Sequence, residues 1–87
     1  MQKIIERKAR YKGTEHPYLK EIVIIKAIIS NGSDNSDDHL YLDNDADIAA
    51  AGGVKPTDRV EVQPILPDGR RSWVTSDPLF KGCELLD

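Results

Sequence analysis

From Ile22 to Ile29 the chain reads IVIIKAII, with six β-branched residues in eight positions. A second heavy atom on Cβ stiffens χ1 against a helical turn and suits a pleated surface, so Tyr18–Ile29 predicts a strand in preference to the alternative helix. Its apolar side chains fall on both parities, as in a central strand covered on both faces. That strand has to organise everything else. A chain of 87 residues is one small domain (1–87), and at this size folding buries roughly 60–65% of the unfolded surface. Hydrophobic content of 39% with 31% charged residues places it among globular rather than disordered chains.

The flanking segments read as partners for that strand. Residues 2–12 alternate, with Ile5, Ala9 and Tyr11 on one face and Glu6, Lys8, Arg10 and Lys12 on the other. Residues 13–17 form a turn, and the polar stretch 30–38 (SNGSDNSDD) is a loop. A short strand is expected at His39–Asp43 with Leu40 and Leu42 inward. A short helix follows at 45–51, with Asn and Asp caps, alanines inside and a glycine stop. After a turn at 54–58, Val60 and Val62 alternate with Arg59, Glu61 and Gln63, and Pro64 marks an edge or a bulge. Pro67–Arg70 is a hairpin turn from which Arg71–Thr75 returns as a strand. Ser76-Asp77-Pro78 caps a helical turn near 78–81, and Cys83–Leu86 closes as a last short strand. The fold expected is α+β, mainly an antiparallel β-sheet of about five strands with one short helix and a C-terminal helical turn. Its core comprises Ile5, Ile22, Ile24, Ile28, Leu40, Leu42, Ile48, Val60, Val62, Val74 and Leu79, with Trp73 partly buried.

Charge is distributed far less evenly than the net of −3 suggests. Residues 1–26 carry seven Lys/Arg against three acids, and residues 27–54 carry six aspartates and no cation. Residues 55–87 hold five cations against six acids. Summed charge steers and excludes partners without specifying a fold. The lone cysteine, Cys83, leaves no internal disulfide, so a reducing compartment is the default. No apolar run reaches the roughly 18–20 residues of a membrane span. Charge also falls inside what would have to be the apolar stretch of a leader. The expectation is a soluble, cytoplasmic protein.

Chemical motifs are few. Asp43, Asp45 and Asp47 have the one-three-five spacing of a calcium loop, but Ile48 stands where that loop needs glycine and Val54 where it needs glutamate. Helix capping accounts for the same aspartates. His16, His39, Asp37 and Asp38 lack metal-ligand spacing, and Cys83 or Ser72 with His39 lies in no nucleophile motif. No enzyme activity, cofactor or metal is expected. Lys8, Arg10 and Lys12 around Tyr11, and Arg70 and Arg71 beside Trp73, offer two basic-aromatic patches of the kind that track nucleic acid. The ordinary meaning of such patches is a solvated face with a charge-guarded edge. A pI near 5.3 also argues against phosphate attraction as the main force in binding.

The acidic run has three readings: a solvated loop, a protein interface, or a metal site. As an interface, its carboxylates would imitate phosphates before a basic surface, and Leu40, Tyr41 and Leu42 would add an apolar anchor. Residues 48–74, an alanine-rich helix, then GVKPTDRVEV, PDGR and a returning strand, resemble the helix–turn–strand segment of swapped-hairpin (AbrB-like) regulators. That resemblance implies an intertwined homodimer and DNA contact ahead of the helix. At that place this chain has Asp43, Asp45 and Asp47, and Thr57 replaces the usual glycine of the turn. The function expected is a small non-catalytic binding or inhibitor protein of the phage or mobile-element kind. It would engage a larger, basic-faced partner through Asp34, Asp37, Asp38, Asp43, Asp45, Asp47 and Tyr41. The alternative is a homodimeric DNA-binding regulator using Lys8, Arg10, Lys12, Arg70 and Arg71.

Overall fold

The computed structural model describes residues 3–86. Five strands form one antiparallel sheet: β1 (Arg7–Tyr11), β2 (Glu21–Ile29), β3 (Leu40–Leu42), β4 (Arg59–Pro64) and β5 (Cys83–Leu85). One helix, α1 (Asp45–Ala50), and 3-10 turns at Ser36–Asp38 and Phe80–Gly82 complete the elements of the described residues. The α+β expectation holds.

As the sequence demanded, β2 is the axis. Along one edge β4 pairs with it from Ile22 to Ile28. A strand has two edges, so β1 and β3 must share the other one end to end. β1 takes the half around Ile22–Ile24, and β3 takes Ala27–Ile29. The C-terminal segment closes the structure. Val62 exchanges hydrogen bonds with Ser76, and Val60 N donates to Pro78 O, so residues 76–78 line the outer edge of β4. The 3-10 turn then carries the chain across to β1, where β5 pairs. The sheet is thus curled into a small barrel, with β3 as a short flank paired on one side.

Closure explains the core. Ile22, Ile24, Ala27, Ile29, Val60 and Val62 are buried together with Ala9, Tyr11, Leu19, Ile4 and Ile48. The inward positions of β2 change parity between Ile24 and Ala27, because the ladder with β4 slips by one residue at Ile25. A β-bulge of this kind leaves one residue unopposed and bends the strand. Apolar residues on both parities therefore have two causes. Most reflect the parity switch, and only Val23 and Ile28 are buried on the outer face. Val23 lies in register with Lys8 and Gln63, whose long stems suit an apolar neighbour.

Tyr11 packs beneath two glycines. A side chain on Gly13 would collide with its phenol, and one on Gly82 would come within 3.0 Å of its ring. Just before β1, Glu6 adopts a left-handed conformation (φ 62°), and Ile4 ahead of it is buried in the core with Ile48 of α1.

Ile28 is buried as expected, on the outer face in register with Arg59. Three core assignments change. Leu79 bridges Arg59 and is only half-buried on that same face. Leu40 pairs with Ile29 on the core side, yet it occupies the last pair of a three-residue strand and is 44% exposed. Val74 is 69% exposed, and Trp73, expected to be partly buried, is 98% exposed.

The last two share a cause. Arg71 bridges Ile65 and Ser76 bridges Val62, so three steps on one side face five on the other. The two surplus residues leave the ladder, so the strand expected at 71–75 does not form. The hairpin turn before it does: Leu66 N donates to Arg70 O at 2.7 Å, and Gly69 takes a positive φ of 89°. Among the described residues no helix is long and apolar enough to cross a membrane.

Candidate functional site

The acidic residues occupy one continuous segment at the Ile29 end of β2. Asp34, Asp37 and Asp38 lie in the loop and 3-10 turn before β3, Tyr41 is its middle residue, and Asp43 leads into α1. Asp45 and Asp47 lie in the first turn of α1. Five of the six aspartates are exposed, as is Tyr41 at 56%, while Asp45 is half-buried.

Local chemistry fixes this segment. Asn35 Oδ1 accepts from Asp37 N, and Asp38 Oδ2 accepts from Ser33 Oγ at 2.9 Å. His39 donates from Nε2 to Ser33 O at 2.7 Å, tying the loop base. Asn44 caps α1 by accepting from Asp47 N at 2.9 Å and donating to Asp47 Oδ2 at 2.7 Å. Asp45 differs from its neighbours, because its Oδ1 accepts from Ile4 N at 2.7 Å and Ile5 N at 3.1 Å. It fastens the N-terminal segment to the helix.

Asp58, buried at 2% exposure, holds the loop stem. It accepts from Ser30 N and Ser30 Oγ, both at 3.1 Å, and from Lys55 N at 2.9 Å. Burial is the largest single influence and pushes its carboxyl upward. The hydrogen bonds from Lys55 and Ser30, with the Lys55 charge, together outweigh burial and hold it below its ordinary value. In the sequence Asp58 reads only as a turn residue. Its sole signal is an aspartate three places after Lys55 in a proline turn, a pattern common to many loops.

Outside this segment four carboxylates are paired with a lysine or arginine, while Glu21, Glu61 and Asp77 join no ion pair among the described residues. Ion pairs join Arg71 to Glu6 (2.6 Å), Arg70 to Asp68 (2.6 Å) and Arg59 to Glu15 (2.9 Å). Lys12 and Arg10 share Glu84 at 3.2 and 3.8 Å. Such surface pairs add little stability, but each cancels local field. None of them involves Asp34, Asp37, Asp38, Asp43, Asp45 or Asp47.

Metal and nucleophile arrangements do not assemble among the described residues. No group of three or more His, Cys, Asp or Glu side chains is set to hold an ion. Asp43, Asp45 and Asp47 are occupied by cap and backbone contacts instead. Burial pushes the Cys83 thiol up to about 11, which keeps it protonated, and it faces Leu79 O. Ser72 Oγ accepts from Val74 N, and neither Cys83 nor Ser72 bonds to His39. A groove of about 450 Å³ bounded by Ile28, Asp34, His39, Arg59 and Leu79 runs beside the acidic loop.

No protein-family model, curated protein or solved structure matches the chain.

Proposed function

We propose that this is a small, non-catalytic cytoplasmic binding protein that occupies a basic surface of a larger protein, as phage or mobile-element inhibitors that imitate nucleic acid do. The carrying observation is the uneven compensation of charge. Among the described residues, six aspartates at one end have no cationic partner, whereas Arg10, Lys12, Arg70 and Arg71 are each matched by a carboxylate of the same chain. Uncancelled carboxylates attract Lys/Arg surfaces and repel phosphate. Exposed Leu40 and Tyr41 within the acidic segment supply the apolar contact that turns steering into affinity. Asp34, Asp37, Asp38, Asp43, Asp47 and Tyr41 form the contact set, and Asp45 belongs to the support beneath it.

Host lysate passed over the immobilised protein at low and high salt tests this reading, with a variant carrying Asn at Asp34, Asp37, Asp38, Asp43 and Asp47 as the matched control. Salt-sensitive capture by the wild type and its loss in the variant are expected. Equal capture by both would sink the proposal. A parallel gel shift on duplex DNA at low salt should be blank, and a shift would favour the regulator that binds DNA through Lys8, Arg10, Lys12, Arg70 and Arg71.

A further inference from the structure

The chain has three asparagines, Asn31, Asn35 and Asn44, and all of them are exposed. Solvent access does not separate them, but hydrogen bonding does. Asn35 Oδ1 accepts from Asp37 N at 3.0 Å. Asn44 Oδ1 accepts from Asp47 N at 2.9 Å, while its Nδ2 donates to Asp47 Oδ2 at 2.7 Å. The Asn31 carboxamide has no such partner among the described residues, and neither has the backbone N–H of Gly32.

Asn31 and Gly32 take positive φ values of 54° and 77°, and Ser33 N donates to Ser30 O at 3.0 Å, as in a type I′ turn. The turn stands clear of the barrel. A Cβ built on Gly32 would meet no heavy atom within 4 Å beyond its chain neighbours. One hydrogen bond worth about 1 kcal/mol closes the turn, so the rotation that brings Gly32 N to the Asn31 side chain costs little. Glycine offers no side chain to obstruct that approach. Ser30 N and Ser30 Oγ both donate to Asp58 Oδ1 at 3.1 Å, so the stem stays in place while the turn moves.

We infer that Asn31 is a site of spontaneous, backbone-assisted deamidation. Gly32 N gives its proton to hydroxide and attacks Asn31 Cγ. The N–Cγ bond forms, the Cγ–Nδ2 bond breaks, and Nδ2 takes a proton from water and leaves as ammonia. The cyclic imide that results takes up one water. Opening at the Cγ–N bond leaves aspartate, and opening at the Asn31 backbone carbonyl leaves isoaspartate, whose main chain runs through Cγ. Either product adds a carboxylate to the loop that carries Asp34, Asp37 and Asp38. Aspartate tolerates the left-handed conformation and keeps the turn, whereas isoaspartate lengthens its backbone by a methylene. Asp68-Gly69 could close the same imide by losing water, but Asp68 is held by Arg70 N at 3.0 Å and Arg70 Nε at 2.6 Å. The site does not depend on what the acidic end binds.

The test is peptide mapping by mass spectrometry on the full chain, kept folded at neutral pH and physiological temperature for several weeks. The peptide containing Asn31 should gain the mass of oxygen replacing NH and split into two isomers. Its conversion should run at least about tenfold faster than at Asn35 or Asn44, whose side chains must first give up bonds worth about 1 kcal/mol each. Asn31→Gln should lose the fast reaction, because glutamine has to close a larger ring, and a thermal melt checks that this variant is folded. In a urea-denatured sample the bonds at Asn35 and Asn44 are gone, so the gap between them and Asn31 should narrow. Equal rates at the three asparagines in the folded chain overturn the inference. So does an Asn31 that survives in the folded chain and converts only in urea, since the turn would then be protecting it.

Discussion

The two ends of β2 lie about 20 Å apart and solve the exposure of polar and apolar groups in opposite ways. At the Ile29 end, charge is left unbalanced: five exposed aspartates and a half-buried one surround a three-residue strand with one neighbour. At the Ile22 end charge is balanced, with Arg70 on Asp68 and Arg71 on Glu6, and it is apolar surface that is left uncovered at Trp73 and Val74. The contrast separates two kinds of recognition. Uncancelled charge acts over a Debye length of about 8–10 Å and weakens with salt, whereas an exposed indole acts only on contact and does not. The same barrel holds both without either disturbing its core.

Substitutions should expose how differently the ends are built. Asp58→Ala is expected to have the largest effect, about 3 kcal/mol by urea unfolding, because it leaves Ser30 N and Lys55 N unsatisfied under the acidic loop. Its acid limb carries the same information. The folded carboxyl titrates below its unfolded value, so its contribution is present above the ordinary carboxylate range and is lost as pH falls through the depressed value. Asp58→Asn should flatten that limb. Glu6, Glu15 and Asp68 are also lowered, in each case chiefly by hydrogen bonds from an arginine, but these groups are exposed and screened.

Within the acidic end, Asp45→Ala should cost about 1–2 kcal/mol by releasing Ile4 N and Ile5 N. Asn44→Ala should cost about 1 kcal/mol through loss of the helix cap. Asp37→Asn should leave stability within about 0.5 kcal/mol, which separates a surface carboxylate from a structural one in the same segment. Trp73→Ser should have the smallest effect on the melt of the monomer, since the indole touches little of its own chain. A drop of several degrees for Trp73→Ser at low concentration would break the comparison.

Much of this arrangement is legible in the letters, and the exceptions have physical reasons. The β-branched run, the Asn44 cap and the Asp68-Gly69 turn each act over a few residues, and local chemistry locates them. The bulge at Ile25 cannot be read, because a continuous apolar run carries no mark of where its inward parity changes. Trp73 misleads for a related reason. Its alternating neighbours fit a strand, and only the ladder partners Ile65–Arg71 and Val62–Ser76 reveal two residues too many. For the acidic segment, composition locates the charge, but separating Asp45 from its neighbours requires the backbone of Ile4 and Ile5, distant in sequence.

The most direct test of the central claim is the affinity of the captured basic partner measured across a salt series, for wild type and for the variant with Asn at Asp34, Asp37, Asp38, Asp43 and Asp47. Wild-type affinity should fall steeply with salt, and the variant should bind weakly with a shallow dependence. Equal affinities with equal slopes would show that these carboxylates are merely solvated, and the proposed role would fail with them.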